Sequence, residues 1–452
     1  MSKRFSTFLK FACASAALAL TSAPASATTL NIIKSFCGTG MTCTGSGGTS
    51  FPQGLLNDGS DNYFGVLATG GANGKGEVFR LSKSGGSYLY ADIYDFCGGG
   101  GACTDGRAPT GKLIIDSNGV LYGVAENGGP TCGADANGCG VIYTLTPTGL
   151  GPNSYSQAVI YDFCGGGGSC TDGKTPAGEL TYVGDPGSQY DGSSALFGAT
   201  LSGGANSHGA VFKLTGIGGT PTESVLYSFC PGGGGCTDGA QPNNLVADGG
   251  GSLYGTTPGG GNGTSSGVVY ELDPNGGSYT HTTLWTFCGS AGCPDGQTPD
   301  GQLVINGTGK LLGTTAAGGA QQDGTVFRIT PNGTSSTETV RYDFCSTGGA
   351  ACTDGALPRG GVVMDANGDF YGVTGFGGNQ LSPGGTVFKL HNTTLTTLYK
   401  FCPGGSVPCT SDGNLPQNGV ALDASGNVYG TATYGGANGT GDHGGTAWQL
   451  IP

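Results

Sequence analysis

The sequence predicts an all-β fold: a seven-bladed β-propeller of four-stranded blades, closed by the N-terminal strand pairing with the last blade. Three observations predict it. A cysteine- and glycine-rich loop recurs seven times, four strand-like runs lie between successive loops, and the two chain ends supply complementary strands.

The loop comes first. Its copies open at Cys37, Cys97, Cys164, Cys230, Cys288, Cys345 and Cys402, and most read like "DFCGGGGSCTDGKTP" from Asp162. First cysteines lie 57 to 67 residues apart, a period that points to a propeller or a solenoid. Gly plus Pro is 96 + 22 of 452 residues, close to the composition of disordered chains. The 19 Tyr, 19 Phe and 17 Cys recur at fixed places, which a disordered tract has no reason to show.

The strands follow in a constant order. After the loop's proline comes a short apolar run (Leu180 to Val183, Leu303 to Ile305), then an Asp-x-x-Gly turn at Asp116, Asp365 or Asp423. A second run such as "LYGTT" leads to a glycine pair, Gly203-Gly204 or Gly377-Gly378. A third run, "GTVFRI" or "GAVFKL", and a fourth, "TTLYKF", complete the unit. Tyr161 and Phe163, Phe212 and Leu214, and Tyr399 and Phe401 alternate at period two, and no sustained helical period is present. Asp bonds its own turn backbone and Gly accepts positive φ, which is hairpin chemistry.

Closure is read from the ends. Leu30–Phe36 has the character of a fourth strand and Gly445–Leu450 that of a third. A ring lets them pair. An open solenoid, the competing arrangement, would leave both edges bare.

Residues 1–27 read as a secretory signal peptide: Lys3, Arg4 and Lys10, an apolar "FACASAALAL" too short to span a bilayer, and Ala25-Ser26-Ala27 for cleavage. Residues 28–452 then form one domain with no membrane span, secreted or periplasmic, and a monomer is the expected state. Removing three basic residues takes the formal charge from −13 to −16. That acidity, without a basic patch, excludes nucleic acid and anionic membranes as natural partners.

The pattern resembles the GloVer (Gloeobacter/Verrucomicrobia-type) tandem repeat of exported bacterial proteins. The residues that carry the likeness are "LYGTT" at 253–257, "GTVFRI" at 324–329, "LYKF" at 398–401 and the "DG…P" step. The resemblance implies a β-propeller-like exported protein and no particular reaction. Such proteins often carry a surface anchor, and nothing resembling one follows Gln449-Leu450-Ile451-Pro452.

One motif competes with this reading. Gly168 to Thr175, G-S-C-T-D-G-K-T, matches the phosphate-loop pattern. A phosphate loop needs a helix after it, but Pro176-Ala-Gly and a strand-like "ELTYV" follow, and the sister loops lack the Lys-Thr pair. No nucleotide is expected. Instead, sixteen cysteines remain once Cys13 leaves with the signal peptide, and an even number in an exported chain predicts disulfides: Cys37–Cys43, Cys97–Cys103, Cys164–Cys170, Cys230–Cys236, Cys288–Cys293, Cys345–Cys352, Cys402–Cys409, and Cys132–Cys139 inside the second repeat. Zinc sites favour tighter pairs that converge in space.

Six loops carry an Asp beside Gly: Asp105, Asp172, Asp238, Asp295, Asp354 and Asp412. Two roles are open to them. A carboxylate ring near the channel mouth would attract Ca²⁺ or bond sugar hydroxyls; alternatively, each Asp caps its own turn. His208, His281, His391 and His443 have no partner at ligand spacing, and no catalytic constellation is identifiable. The expectation is an exported binding scaffold for carbohydrate or a surface protein, needing no cofactor. The rivals are a polysaccharide-acting enzyme with carboxylates at the channel mouth and a structural envelope protein.

Overall fold

The computed structural model describes residues 28–36, 51–99, 103–130, 138–165, 170–184, 189–263, 266–333, 335–378, 384–403, 409, 411–437 and 444–452. Seven antiparallel sheets follow one another around an axis, and their only helical turn among the described residues is Gly349–Ala351. The molecule is a seven-bladed β-propeller.

In blade two the strands are Arg107–Ile115, Leu121–Asn127, Val141–Pro147 and Tyr155–Asp162. Blade seven is built from both ends of the chain. Its strands Ala421–Leu422, Val428–Ala432 and Thr446–Ile451 are completed by Thr29–Ser35. Leu30 pairs with Leu450 and Ser35 with Thr446, so the predicted closure is present.

Aromatic rings join the blades. Each fourth strand ends on a fully buried Phe that meets the third-strand ring of the next blade edge-on or tilted. Phe96–Tyr143, Phe163–Phe212, Phe229–Tyr270, Phe287–Phe327, Phe344–Phe388 and Phe401–Trp448 have centroids 5.0 to 5.5 Å apart. Phe36–Phe79, at 5.2 Å, carries the series across the closure. Trp448 takes the place of the third-strand Phe or Tyr. Space for each ring comes from the glycine of the second strand. A Cβ on Gly198 or Gly372 would overlap Phe212 or Phe388.

A second contact stitches neighbouring blades together. The glycines before the third strands, Gly76, Gly140, Gly209, Gly267, Gly324 and Gly385, have positive φ. Each lies against the proline that opens the next blade: Pro109, Pro176, Pro242, Pro299, Pro358 and Pro416. Gly445 lies against Pro52 in the same way, joining blade seven to blade one.

The first strands depart from expectation. The apolar run was expected to form the strand alone. In blades two and three the strand starts earlier, at Arg107 and Lys174, and runs through Pro-x-Gly with a register shift. Proline has no N–H to offer and the glycine has positive φ, so pairing is irregular there. This irregular segment faces the axis.

Candidate functional site

Pro-x-Gly segments from successive blades approach one another closely around the axis. A Cβ on Gly111 would overlap the Gly178 carbonyl, and one on Gly178 the Asn243 carbonyl. Gly301 faces Gly360, and Gly360 faces Asn418. At Gly111, Gly178, Gly301 and Gly360 only glycine permits this spacing, while blades four and seven carry Asn244 and Asn418 in its place. The segments enclose an axial pocket of about 330 Å³.

Its lining mixes polar and apolar groups and varies from blade to blade. Gln53, Thr110, Asn243, Asn244, Gln302, Gln417 and Asn418 supply amides and a hydroxyl. Lys112, Glu179, Asp300 and Arg359 supply two charges of each sign. Lys112 Nζ lies 3.5 Å from the buried Glu179 carboxylate. Asn243 donates to the Asp300 side chain at 2.6 Å and to its carbonyl at 2.9 Å. Burial raises the Asp300 pKa, against the opposing pull of the Arg359 charge and the Asn243 hydrogen bond. Asn418 donates to the Pro52 carbonyl at 2.7 Å, linking lining to closure. Leu55, Leu201 and Val362 form the apolar part of the wall.

The cystine loops lie elsewhere, on the rim. Six expected disulfides are present: Cys97–Cys103, Cys164–Cys170, Cys230–Cys236, Cys288–Cys293, Cys345–Cys352 and Cys402–Cys409. Cys37, Cys43 and Cys132 lie outside the described residues, as does His443. Eleven of those twelve cysteines have φ between 41 and 66°, left-handed backbone that costs a non-glycine residue about 1–2 kcal/mol. The glycine-pair loops share the rim: Gly129, Gly204, Gly261, Gly319, Gly378 and Gly436 each donate an N–H to the carbonyl of a loop's second cysteine, at 2.8 to 3.0 Å.

The six loop aspartates sit inside these loops. In five of them the carboxylate accepts the N–H of the loop's first cysteine: Cys97–Asp105 and Cys164–Asp172 (both 2.8 Å), Cys230–Asp238, Cys288–Asp295 and Cys402–Asp412. At Asp354 the donor is Ser346. Each also accepts from a fourth-strand side chain: Tyr94, Tyr161, Tyr227, Trp285, Tyr342 or Tyr399, at 2.7 to 3.1 Å. Trp285 thus does with its indole N–H what tyrosine does elsewhere.

Behind these loops the seams between blades hold titratable groups, Glu77 buried and Glu223, Glu338 and His281 half-buried. Glu77, Glu223 and Glu338 are each pushed up to about 7 by burial, and nearby carboxylates add to it. Tyr90 donates to Glu77 and Tyr161 to Glu223, which partly opposes the shift. His281, stacked on Tyr227 at 4.2 Å, is lowered to about 4 by burial. Between pH 4.5 and 7 the folded state therefore binds more protons at the glutamates than the unfolded chain, so stability falls as pH rises. At His281 the sign reverses, because the folded state binds fewer protons between pH 4 and 6.5. Three glutamates outweigh one histidine, so the melting temperature should be highest near about pH 4–4.5 and decline towards pH 8, and Glu223→Gln with Glu338→Gln should flatten the decline. Thermal melts across pH 4–8 check it; a maximum at pH 8 would refute it.

Residues 187–443 match the Gloeobacter/Verrucomicrobia repeat. The chain belongs to that repeat family. No curated protein matches it. Solved structures with a similar course include a GH74 xyloglucanase from Xanthomonas campestris, at 13% identity and a TM-score of 0.46, covering 81% of this chain and 54% of that one. A Dyadobacter fermentans protein of unknown function matches at 9% identity and a TM-score of 0.42, covering 93% and 99%. A Trypanosoma rangeli sialidase bound to sialic acid matches at 8% and 0.38, covering 81% and 56%. The chain spans little more than half the length of the xyloglucanase and the sialidase. In this member of the repeat family the axial pocket, not the cystine rim, gathers the most varied polar side chains.

Proposed function

We propose that this repeat protein is an exported binding scaffold whose ligand, a carbohydrate, occupies the axial pocket. One observation carries the reading: seven inner segments of fixed backbone present differing amide, hydroxyl and charged side chains to a single enclosure. A volume of about 330 Å³ is at the small end of ligand sites and suits one or two sugar rings better than a protein surface. Amides both donate to and accept from sugar hydroxyls, and carboxylates accept from them. The axis is preferred to the six rim aspartates because loop and strand donors already occupy their carboxylates. Export fits the disulfides, which persist in oxidising compartments. Among the described residues no helix is long and apolar enough to cross a membrane.

A glycan array should give at least one binder, with affinity reduced about tenfold or more by Lys112→Ala or Gln417→Ala, as expected for losing a hydrogen bond to a charged or polar group. No binder, or unchanged affinity in both variants, would overturn the axial site. Incubating any bound glycan with the protein and looking for shortened product separates binding from the rival hydrolase.

A further inference from the structure

Each fourth strand carries a β-bulge beside its third strand, and the extra residue faces the next blade. In six blades that residue is aliphatic: Ile33, Ile93, Ile160, Leu226, Leu284 and Leu398. All six pack into the apolar seams. In blade five it is Arg341, the residue missing from the register between Val340 and Tyr342.

Arg341 is not alone. Arg328, on the adjoining third strand, lies across from Thr339, two positions along, so both guanidiniums emerge on the side that faces blade six. They are close enough for Arg328 to add to the burial that lowers the Arg341 pKa. Neither makes a hydrogen bond or ion pair among the described residues, and Arg328 Nε is buried with no partner. Two half-buried like charges without a counter-charge are unfavourable, more so when solvent is partly excluded. The equivalent cations are engaged: Arg80 donates to Asn62, Asn153 and the Pro152 carbonyl, Lys389 pairs with Asp369 at 2.7 Å, and Lys213 lies over the Phe197 ring.

The seam also lacks the cover that blade two gives Arg80. Arg80 is capped by the outer hairpin of blade two, whose tip spans residues 148–154. The outer hairpin of blade six turns in two residues, Asn392 and Thr393, between His391 and Thr394. It offers no such tip to blade five.

We infer that Arg328 and Arg341 form an oxyanion site on the seam between blades five and six, taking a carboxylate or sulfate group of a ligand. Paired guanidiniums present parallel N–H donors that match such groups in a forked geometry. The site is distinct from the axial pocket and does not depend on it.

Thermal melts of the whole protein with sodium sulfate or sodium acetate, at ionic strength held constant with sodium chloride, test this. The wild type should show a saturable rise of about 2 °C or more at low millimolar anion. Arg341→Leu, which restores the residue type of the other blades, should begin at a higher melting temperature and lose that rise. Arg328→Gln should lose it too. Response to sulfate alone assigns a tetrahedral group, and response to both anions admits a carboxylate. A wild-type rise no larger than that of Arg341→Leu with either anion would overturn the site, since sulfate's general stabilising effect acts on both proteins.

Discussion

Reduction with dithiothreitol should lower the melting temperature by about 10 °C or more, or abolish cooperative unfolding. Closing a loop of about seven residues removes roughly 2.4 kcal/mol of unfolded-chain entropy on the chain-entropy model. Six such clips lie among the described residues. Their contributions will not add in full, yet even half the sum is comparable to a typical net stability of about 5–15 kcal/mol. Reduction also frees the left-handed cysteines to leave their strained backbone. With them go the N–H groups that the rim aspartates accept and the carbonyls that bind the glycine-pair loops. A melt unchanged by reductant, with free thiols verified by labelling, would refute the structural role of the clips.

Gly178→Ala should be strongly damaging, costing about 3 kcal/mol or more. Gly178 has φ 74°, where an alanine is strained by about 1–2 kcal/mol. Its Cβ would also overlap the Asn243 carbonyl and the Asn244 side-chain oxygen, and overpacking adds about 1–3 kcal/mol. A backbone oxygen cannot rotate away, so blades three and four would have to separate. Gly85→Ala is the matched control, since Gly85 also has positive φ, 58°, and nothing lies within 4 Å of a Cβ there. Chemical denaturation of both variants checks it; equal stabilities would refute the close approach.

The architecture was legible because its constraints recur as residue types. An aromatic before each first cysteine, a glycine in each second strand and an aromatic in each third are the parts of one interblade contact, repeated in order. The ends were legible for the same reason, since "LNIIKSF" and "GTAWQL" each lack the strand that the other supplies. The axial pocket was not. Attention goes to the rim because cysteine and Asp-Gly are conspicuous there, whereas Pro-x-Gly looks like an ordinary turn. Its signal was the frame itself: Pro52-Gln-Gly, Pro109-Thr-Gly, Pro176-Ala-Gly, Pro299-Asp-Gly and Pro358-Arg-Gly keep the outer residues and change the middle one. A fixed backbone with a variable insert marks a surface that faces something other than its own neighbours. The partners of the rim aspartates were hidden for a different reason. The tyrosines that donate to them lie 11 to 13 residues earlier, across a strand end whose direction no local pattern reveals.

The two-ended seventh sheet has a consequence for how the molecule is made. Thr29–Ser35 emerges first during synthesis, but its mate, Thr446–Ile451, emerges last. Until then the leading strand has a bare, pairing-competent edge, and a chain in transit is exposed to strand exchange with its siblings. Contacts spanning so much sequence form slowly. Completion of the circle is therefore the late, concentration-sensitive event in this protein's biogenesis, and the cystine-bound units already formed must wait for it.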